Sequence, residues 1–264
     1  MYPEALISLG FIEITAYGLM NAIGYLMAGF YLYKTQAKSP FKNNTELFDY
    51  IFYLILGALI GAKIFYIIFH WSGFYGDNIF EKLIDAIKTF RSGFVYFGGF
   101  VGAVCSGVYF IRKRNFPISK TADFTAPAIA LGHLFGRIGC FLAGCCYGEI
   151  SHSKLAIKFS NPECLVPHHL HNIPLHPTQL YEIFANLLIF LTLHFLNNKK
   201  HKTGSIFVLY MAMYSVARFA IEFFRGDERG NFIFSISPSQ LISIVIFITA
   251  ILIYILAIRN KKNG

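Results

Sequence analysis

Charge is what this chain has least of. Asp, Glu, Lys and Arg together make up 14% of it, against 55% apolar residues, and no polar stretch is long enough to build a water-soluble domain. It has neither a Gly-rich nucleotide loop nor a carboxylate pair at metal-ligand spacing, so no nucleotide, required ion or other cofactor is expected. Internal repeats and low-complexity linkers are missing too, which leaves one polytopic domain, residues 1–264, as the expectation. Met1 to Gly10 contains Glu4 and no basic residue. That is unlike a cleavable signal, so the first apolar run is expected to remain as an anchor.

What the chain does have is apolar runs rich in Phe, Ile, Leu and Tyr. Those long enough to cross roughly 30 Å of hydrocarbon lie near residues 12–33, 50–69, 94–111, 122–142, 178–197, 205–223 and 236–258. The expected fold class is an all-α integral membrane protein with about seven transmembrane helices. Gly132, Gly136 and Gly139 interrupt the fourth run, Pro177 opens the fifth, and Asn186 lies inside it. The 29 Phe and 16 Tyr suit a lipid-facing core and interfacial belts.

Basic residues are retained on the cytoplasmic side. With the N-terminus outside, thirteen Lys and Arg fall in cytoplasmic segments (Lys34 to Lys42, Arg112 to Lys120, Lys199 to Lys202, Arg259 to Lys262). The outer segments hold seven: Lys82, Lys88, Arg91, Lys154, Lys158, Arg225 and Arg229. N-out, C-in topology is expected. The net charge of +9 then meets anionic lipid, and nucleic acid is not an expected partner.

Three cations remain, and all three sit inside apolar runs, where a charge is costly and marks a functional site. Lys63, in GALIGAKIFY, either snorkels or pairs with Asp123. Arg137 lies in GRIGCFLAGCCYG, where flanking glycines leave the backbone open to a bulky headgroup. Arg218 lies in YSVARFAIEFFRGD, with Tyr214, Arg218 and Glu222 four residues apart on one helix face. Two guanidinium forks suit a phosphate held between them. The plainer alternative is that Arg218 and Glu222 neutralise each other.

Four ordered motifs, AYGLM (16–20), GRIGxF…G (136–148), HPTQLYE (176–182) and YxxxRFxxEFFR (214–225), resemble those of the prolipoprotein diacylglyceryl transferase family from Tyr17 to Asp227. The resemblance implies transfer of the diacylglyceryl group from phosphatidylglycerol to the lipobox cysteine of preprolipoproteins, releasing glycerol 1-phosphate. The enzyme would work in the bacterial cytoplasmic membrane with its site toward the outer leaflet. Expected partners are phosphatidylglycerol, preprolipoprotein signal peptides and membrane lipids. By the same resemblance Arg137 binds the headgroup, Arg218 stabilises the departing phosphate with Glu222 beside it, and Tyr17 and Tyr214 shape the site. Gly98, Gly99 and Gly148 match the family's glycines, and Gln179 and Tyr181 of HPTQLYE join the substrate-binding set.

The chain departs from the family twice. Phe97 stands where the family has a histidine before its glycine pair, so His176 is the candidate replacement base; its alternative is a capping role beside Pro177. Where the family has Asn, Asn and Glu, this chain has Cys140, Ala143 and Cys145, followed by Cys146 and, downstream, Cys164. An oxidising outer loop favours a disulfide from Cys164 to Cys145 or Cys146. Zinc is the lesser expectation, because C-x4-C-C-x17-C lacks paired C-x2-C spacing. Cys105, alone in the third run, is expected to be a core residue, and His168, His169 and His171 to form a surface turn. The substitutions keep two further readings open: a lipid transferase of the same fold with another acceptor, and a non-catalytic lipid-binding or thiol-redox membrane protein.

Overall fold

The computed structural model describes residues 5–8, 13–75, 78–88, 95–227 and 236–259. Arg91, Arg229, Lys261 and Lys262, used in the charge argument, lie outside them, as does most of Met1 to Gly10. Among the described residues eight α-helices follow in order: α1 (Ala16–Lys34), α2 (Asn44–Phe69), α3 (Ile79–Lys88), α4 (Tyr96–Lys113), α5 (Ile118–Ala143), α6 (Thr178–Asn197), α7 (Ser205–Glu222) and α8 (Pro238–Ile253). All but α3 coincide with the seven apolar runs. Among the described residues five segments (α2, α5, α6, α7 and Pro238–Leu256) are long and apolar enough to cross a membrane, and three of them carry outward Phe52, Ile68, Phe69, Phe195 and Val245. Apolar surface of that extent requires lipid. The protein is an all-α, multi-pass membrane protein, with two short antiparallel ribbons added: β1 (Ala5–Ser8) with β2 (Glu13–Thr15), and β3 (Ile157–Lys158) with β4 (Pro174–Leu175).

Helix ends are set by polar caps rather than by where the apolar run begins. α2 starts at Asn44 because the Asn43 side chain accepts from Glu46 N–H at 2.9 Å while Glu46 accepts from Lys42 N–H at 2.7 Å. Ser237 and Gln240 form the corresponding reciprocal box at the head of α8, with Pro238 in its first turn.

The chain divides into two compact units, with one boundary just after α1 and the other inside α5. One is Gln36–Thr121. Within it α2 and α4 approach at backbone distance: a Cβ on Gly61 would lie 2.3 Å from Gly98 O, and one on Gly102 would lie 2.1 Å from Gly57 O. Small residues four apart permit this contact, the usual means by which helices associate in lipid. Lys63 lies over the Tyr66 ring at 5.1 Å, and Cys105 is exposed on α4 rather than in a core.

The other unit is Met1–Thr35 with Ala122–Gly264. Ala126 and Ala130 of α5, Ile189 and Leu193 of α6, and Ile206 and Tyr210 of α7 form its apolar core. Asp123, expected as a possible partner of Lys63, instead caps α7, accepting from Gly204 N–H at 2.5 Å and Phe207 N–H at 2.8 Å. An anion at the positive end of a helix dipole satisfies two otherwise unpaired donors. Between α5 and α6 the chain builds a small core of its own from Tyr147, Phe159, Cys164, Val166 and Leu175. His168–Leu170 is a short 3₁₀ turn, with His168 and His169 exposed.

Candidate functional site

Three guanidinium groups meet one carboxylate. Glu182, in the second turn of α6, accepts Arg137 Nε from α5 at 2.6 Å and lies 3.4 Å from Arg218 Nη1 of α7 and 3.6 Å from Arg225 Nη1 beyond it. Arg218 also pairs with Glu222 at 2.8 Å and donates to Ser239 Oγ of α8 at 3.0 Å. Ser237 Oγ donates to the other Glu222 oxygen at 2.7 Å, so the capping segment of α8 is tied to the same network. Arg225 makes a two-pronged pair with Asp227, Nε to Oδ1 at 2.8 Å and Nη2 to Oδ2 at 2.5 Å. Burial opposes the Arg225 charge, but this pair outweighs it and holds the guanidinium above its ordinary pKa.

Arg225 lies in the segment after α7, as the charge count has it, but is buried at the site. The Arg218–Glu222 pair exists too, within a larger network that also reaches Arg137. Arg137 is the most open of the three, its side chain 22% exposed against 13% for Arg218 and 7% for Arg225. Its guanidinium is also within electrostatic reach of the Tyr214 hydroxyl. Tyr214 stacks on Tyr210 and faces the His133 ring at 5.3 Å. Tyr17 packs its ring on Gly139, with its hydroxyl within electrostatic reach of Arg137, Cys140 and Cys145. Glu182, Asn186, Tyr214 and Arg218, together with Ile189 and Ile221, line a narrow recess between α6 and α7.

The segment after α5 is folded back onto the head of α6. Thr178 Oγ1 donates to Cys146 O at 2.7 Å and Gln179 Nε2 to Cys145 O at 2.8 Å. These bonds hold Cys146 in left-handed backbone, φ 62°, a region that favours glycine. Gly148 N–H donates to His176 O, Glu149 N–H to Phe224 O, and Gly226 N–H to Tyr147 O. Three chain segments thus meet at Gly148, where a Cβ would lie 2.5 Å from His176 O and 2.6 Å from Phe224 O. Backbone cannot yield as a flexible side chain would, so Gly148→Ala is expected to destabilise the fold by a few kcal/mol, as strained small-to-large changes do (about 1–3 kcal/mol); a melting temperature equal to the parent's would contradict this.

His176 Nδ1 lies 3.1 Å from the Tyr181 hydroxyl, and its ring packs on Phe224. Phe97 is exposed on α4 in the other unit, where Gly98 and Gly99 face Gly61, Ala58 and Ala62 of α2. Those two glycines allow the α2–α4 approach.

The expected Cys164 disulfide is not formed. All five cysteines are free. Cys164 is buried in the loop core with Sγ 3.5 Å from His171 Nε2, a ring that also meets Val166 O at 2.8 Å. Cys140, Cys145 and Cys146 instead gather, their sulfurs all within 4.8 Å of one another, with Arg137 and Arg225 close to Cys146.

Sequence reasoning missed Glu182 as the hub, although the signal was there. Gln179, Glu182 and Asn186, three and four residues apart, form a buried polar stripe on α6 that an apolar helix does not need.

A family model described as prolipoprotein diacylglyceryl transferase matches residues 4–256. Phosphatidylglycerol--prolipoprotein diacylglyceryl transferase of Clostridium tetani is 36% identical over 92% of this chain and 93% of its own. The enzyme of that name numbered 2 in Clostridium perfringens is 34% identical over 96% and 93%, and the Prochlorococcus marinus enzyme is 32% identical over 99% and 96%. Over almost its whole length, the chain belongs to the prolipoprotein diacylglyceryl transferase family.

Proposed function

We propose that the protein transfers the diacylglyceryl group of phosphatidylglycerol to the lipobox cysteine thiol of preprolipoproteins, releasing glycerol 1-phosphate. The observation that carries this reading is the convergence of Arg137, Arg218 and Arg225 on Glu182. A cluster of guanidiniums fixed before substrate arrives stabilises a phosphate leaving group without reorganising during the reaction. Arg137, the most open, takes the headgroup phosphate, and Arg218, locked between Glu222 and Ser239, stabilises the charge that develops as the C–O bond breaks. Tyr17 and Tyr214 border the place where the glyceryl carbon would sit. Gln179 and Tyr181 hold the surrounding loop and His176.

In this reading residues 1–264 form one polytopic domain with seven spans, N-out and C-in, in the bacterial cytoplasmic membrane, and the arginine cluster lies toward the outer leaflet. The partners are phosphatidylglycerol, the signal peptides of preprolipoproteins and the surrounding lipids. Complementation of a strain depleted of its own transferase tests the assignment: lipoproteins should gain the mass of a diacylglyceryl group. Unmodified lipoproteins in cells that contain the folded protein would sink it.

The acceptor must lose its proton, and His176 is the candidate to take it. For that, Nδ1–H donates to the Tyr181 oxygen and Nε2 is left to accept; the reverse tautomer would leave Nε2 protonated. His176→Gln should then slow transfer most at low pH and recover as pH rises toward the free thiol pKa of about 8.5. A loss independent of pH would assign His176 to holding the loop.

A further inference from the structure

We propose that Cys140, Cys145 and Cys146 form a three-thiolate site for a thiophilic divalent cation of the zinc class, with its fourth coordination position open to the acceptor thiol. The second half of this proposal rests on the transferase reading; the ion site itself does not.

Three sulfurs from two stretches of chain lie within 4.8 Å of one another. Tetrahedral zinc with Zn–S of about 2.3 Å sets sulfurs ~3.8 Å apart, so a small contraction closes the site. Three free thiols packed together without an ion or a disulfide gain little, because S–H is a weak donor and a weak acceptor. Their backbone is held in place before any ion arrives. Cys146 is kept at φ 62°, and Thr178 and Gln179 clamp the carbonyls of Cys146 and Cys145. Gln179 is 1% exposed and its Oε1 has no hydrogen-bond partner among the described residues. Buried polar support of this kind fixes ligand orientation at metal centres.

The charges also fit. Three thiolates around a dication leave one net negative charge, and Arg137 and Arg225 stand close to Cys146 to offset it. Among the described residues no fourth Cys, His, Asp or Glu joins the cluster. Three protein ligands plus an exchangeable position is the arrangement of a catalytic rather than a structural zinc.

The chemistry follows from the position. An incoming lipobox thiol takes the fourth place and gives up its proton to the base of the reading above, and the metal-bound thiolate attacks the glyceryl carbon. A C–S bond forms, the C–O bond to phosphate breaks with its electron pair, and glycerol 1-phosphate leaves against the neighbouring arginines. No electron is transferred. The ion would favour the thiolate form of the acceptor and hold it in place.

The test uses the full chain in detergent, reduced and freed of metal, titrated with Zn²⁺ and, as a coloured probe, Co²⁺. The expected result is one ion per chain by elemental analysis and a thiolate-to-cobalt charge-transfer band. Both should be lost in Cys140→Ser, Cys145→Ser and Cys146→Ser but kept in Cys105→Ser and Cys164→Ser. Melting curves of the ion-free variants should match the ion-free parent, which separates a lost ligand from a lost fold. A lipobox peptide should shift the cobalt spectrum, and the same peptide with Ser for Cys should not. Absence of a stoichiometric ion, its retention in the three serine variants, or a disulfide joining two of the three cysteines in the isolated protein would overturn the site. An unchanged cobalt spectrum would overturn the open position. Transfer that survives in the three serine variants would overturn the role while leaving the transferase reading intact. Peptide binding to cobalt without transfer in any preparation would instead overturn that reading and leave the ion site standing.

Discussion

Arg218→Ala should reduce diacylglyceryl transfer by at least roughly 10²–10³-fold, the loss found when one preorganised donor to a developing anion is removed. Arg137→Ala should do the same, with more of the effect on the apparent affinity for phosphatidylglycerol, because Arg137 is the more open of the two. Alanine at 218 also takes the guanidinium away from Glu222, so Arg218→Lys is the sharper variant. Lysine keeps the charge beside Glu182 and Glu222 but loses the planar fork that reaches Glu222 through Nη1 and Ser239 through Nη2. It should fold, melt near the parent and still transfer poorly. Parent-like activity in Arg218→Lys would mean that charge alone suffices there, and parent-like activity in Arg218→Ala would remove the leaving-group role altogether. The measurement is product formation from phosphatidylglycerol and a lipobox peptide, with kcat and KM separated.

How much of this was legible in the sequence depends on the length scale of the cause. Each long helix was visible because crossing hydrocarbon demands a run of apolar residues, and a run is a local property. α3 was not, being ten residues whose polar and apolar positions alternate at helical spacing without a run. Helix starts were missed where caps decide them, as at Asn43. Arg137 and Arg218 stood out as cations in apolar surroundings, and Tyr214, Arg218 and Glu222 share a face by simple periodicity. Arg225 did not stand out, because the Gly226 and Asp227 that follow it read as a loop; only the fold shows that the loop turns inward. The cysteines were misread for a related reason. Sequence spacing counts residues, whereas Cys140 and Cys145 are brought together by the end of α5, where Gly144 at φ 78° reverses the chain and Cys145 N–H returns to Cys140 O at 3.2 Å. Cys164, close in the loop, is drawn instead into the Phe159 and Leu175 core.

Glu182→Gln should have the largest effect on stability. Glu182 is 4% exposed and touches Arg137, Arg218 and Arg225, and Asn186 of the same stripe donates back to its carbonyl at 2.8 Å. Glutamine keeps the shape and one acceptor but removes the anion, leaving three guanidiniums with Glu222 and Asp227 alone. Breaking a buried ion pair costs about 3–5 kcal/mol, and the access of Arg137 to solvent favours the lower end. At roughly 2–4 °C per kcal/mol for a chain of this size, the melting temperature should fall by about 10 °C. If the arginines are built for a phosphate, an added anion should make up part of the loss. Phosphatidylglycerol vesicles or mixed micelles should then raise the melting temperature of Glu182→Gln more than that of the parent, while phosphatidylcholine should raise both alike. Equal stabilisation by the two lipids would mean that the arginines hold only one another's carboxylates. An unchanged melting temperature in Glu182→Gln would mean that the carboxylate is not what keeps three cations together in the membrane.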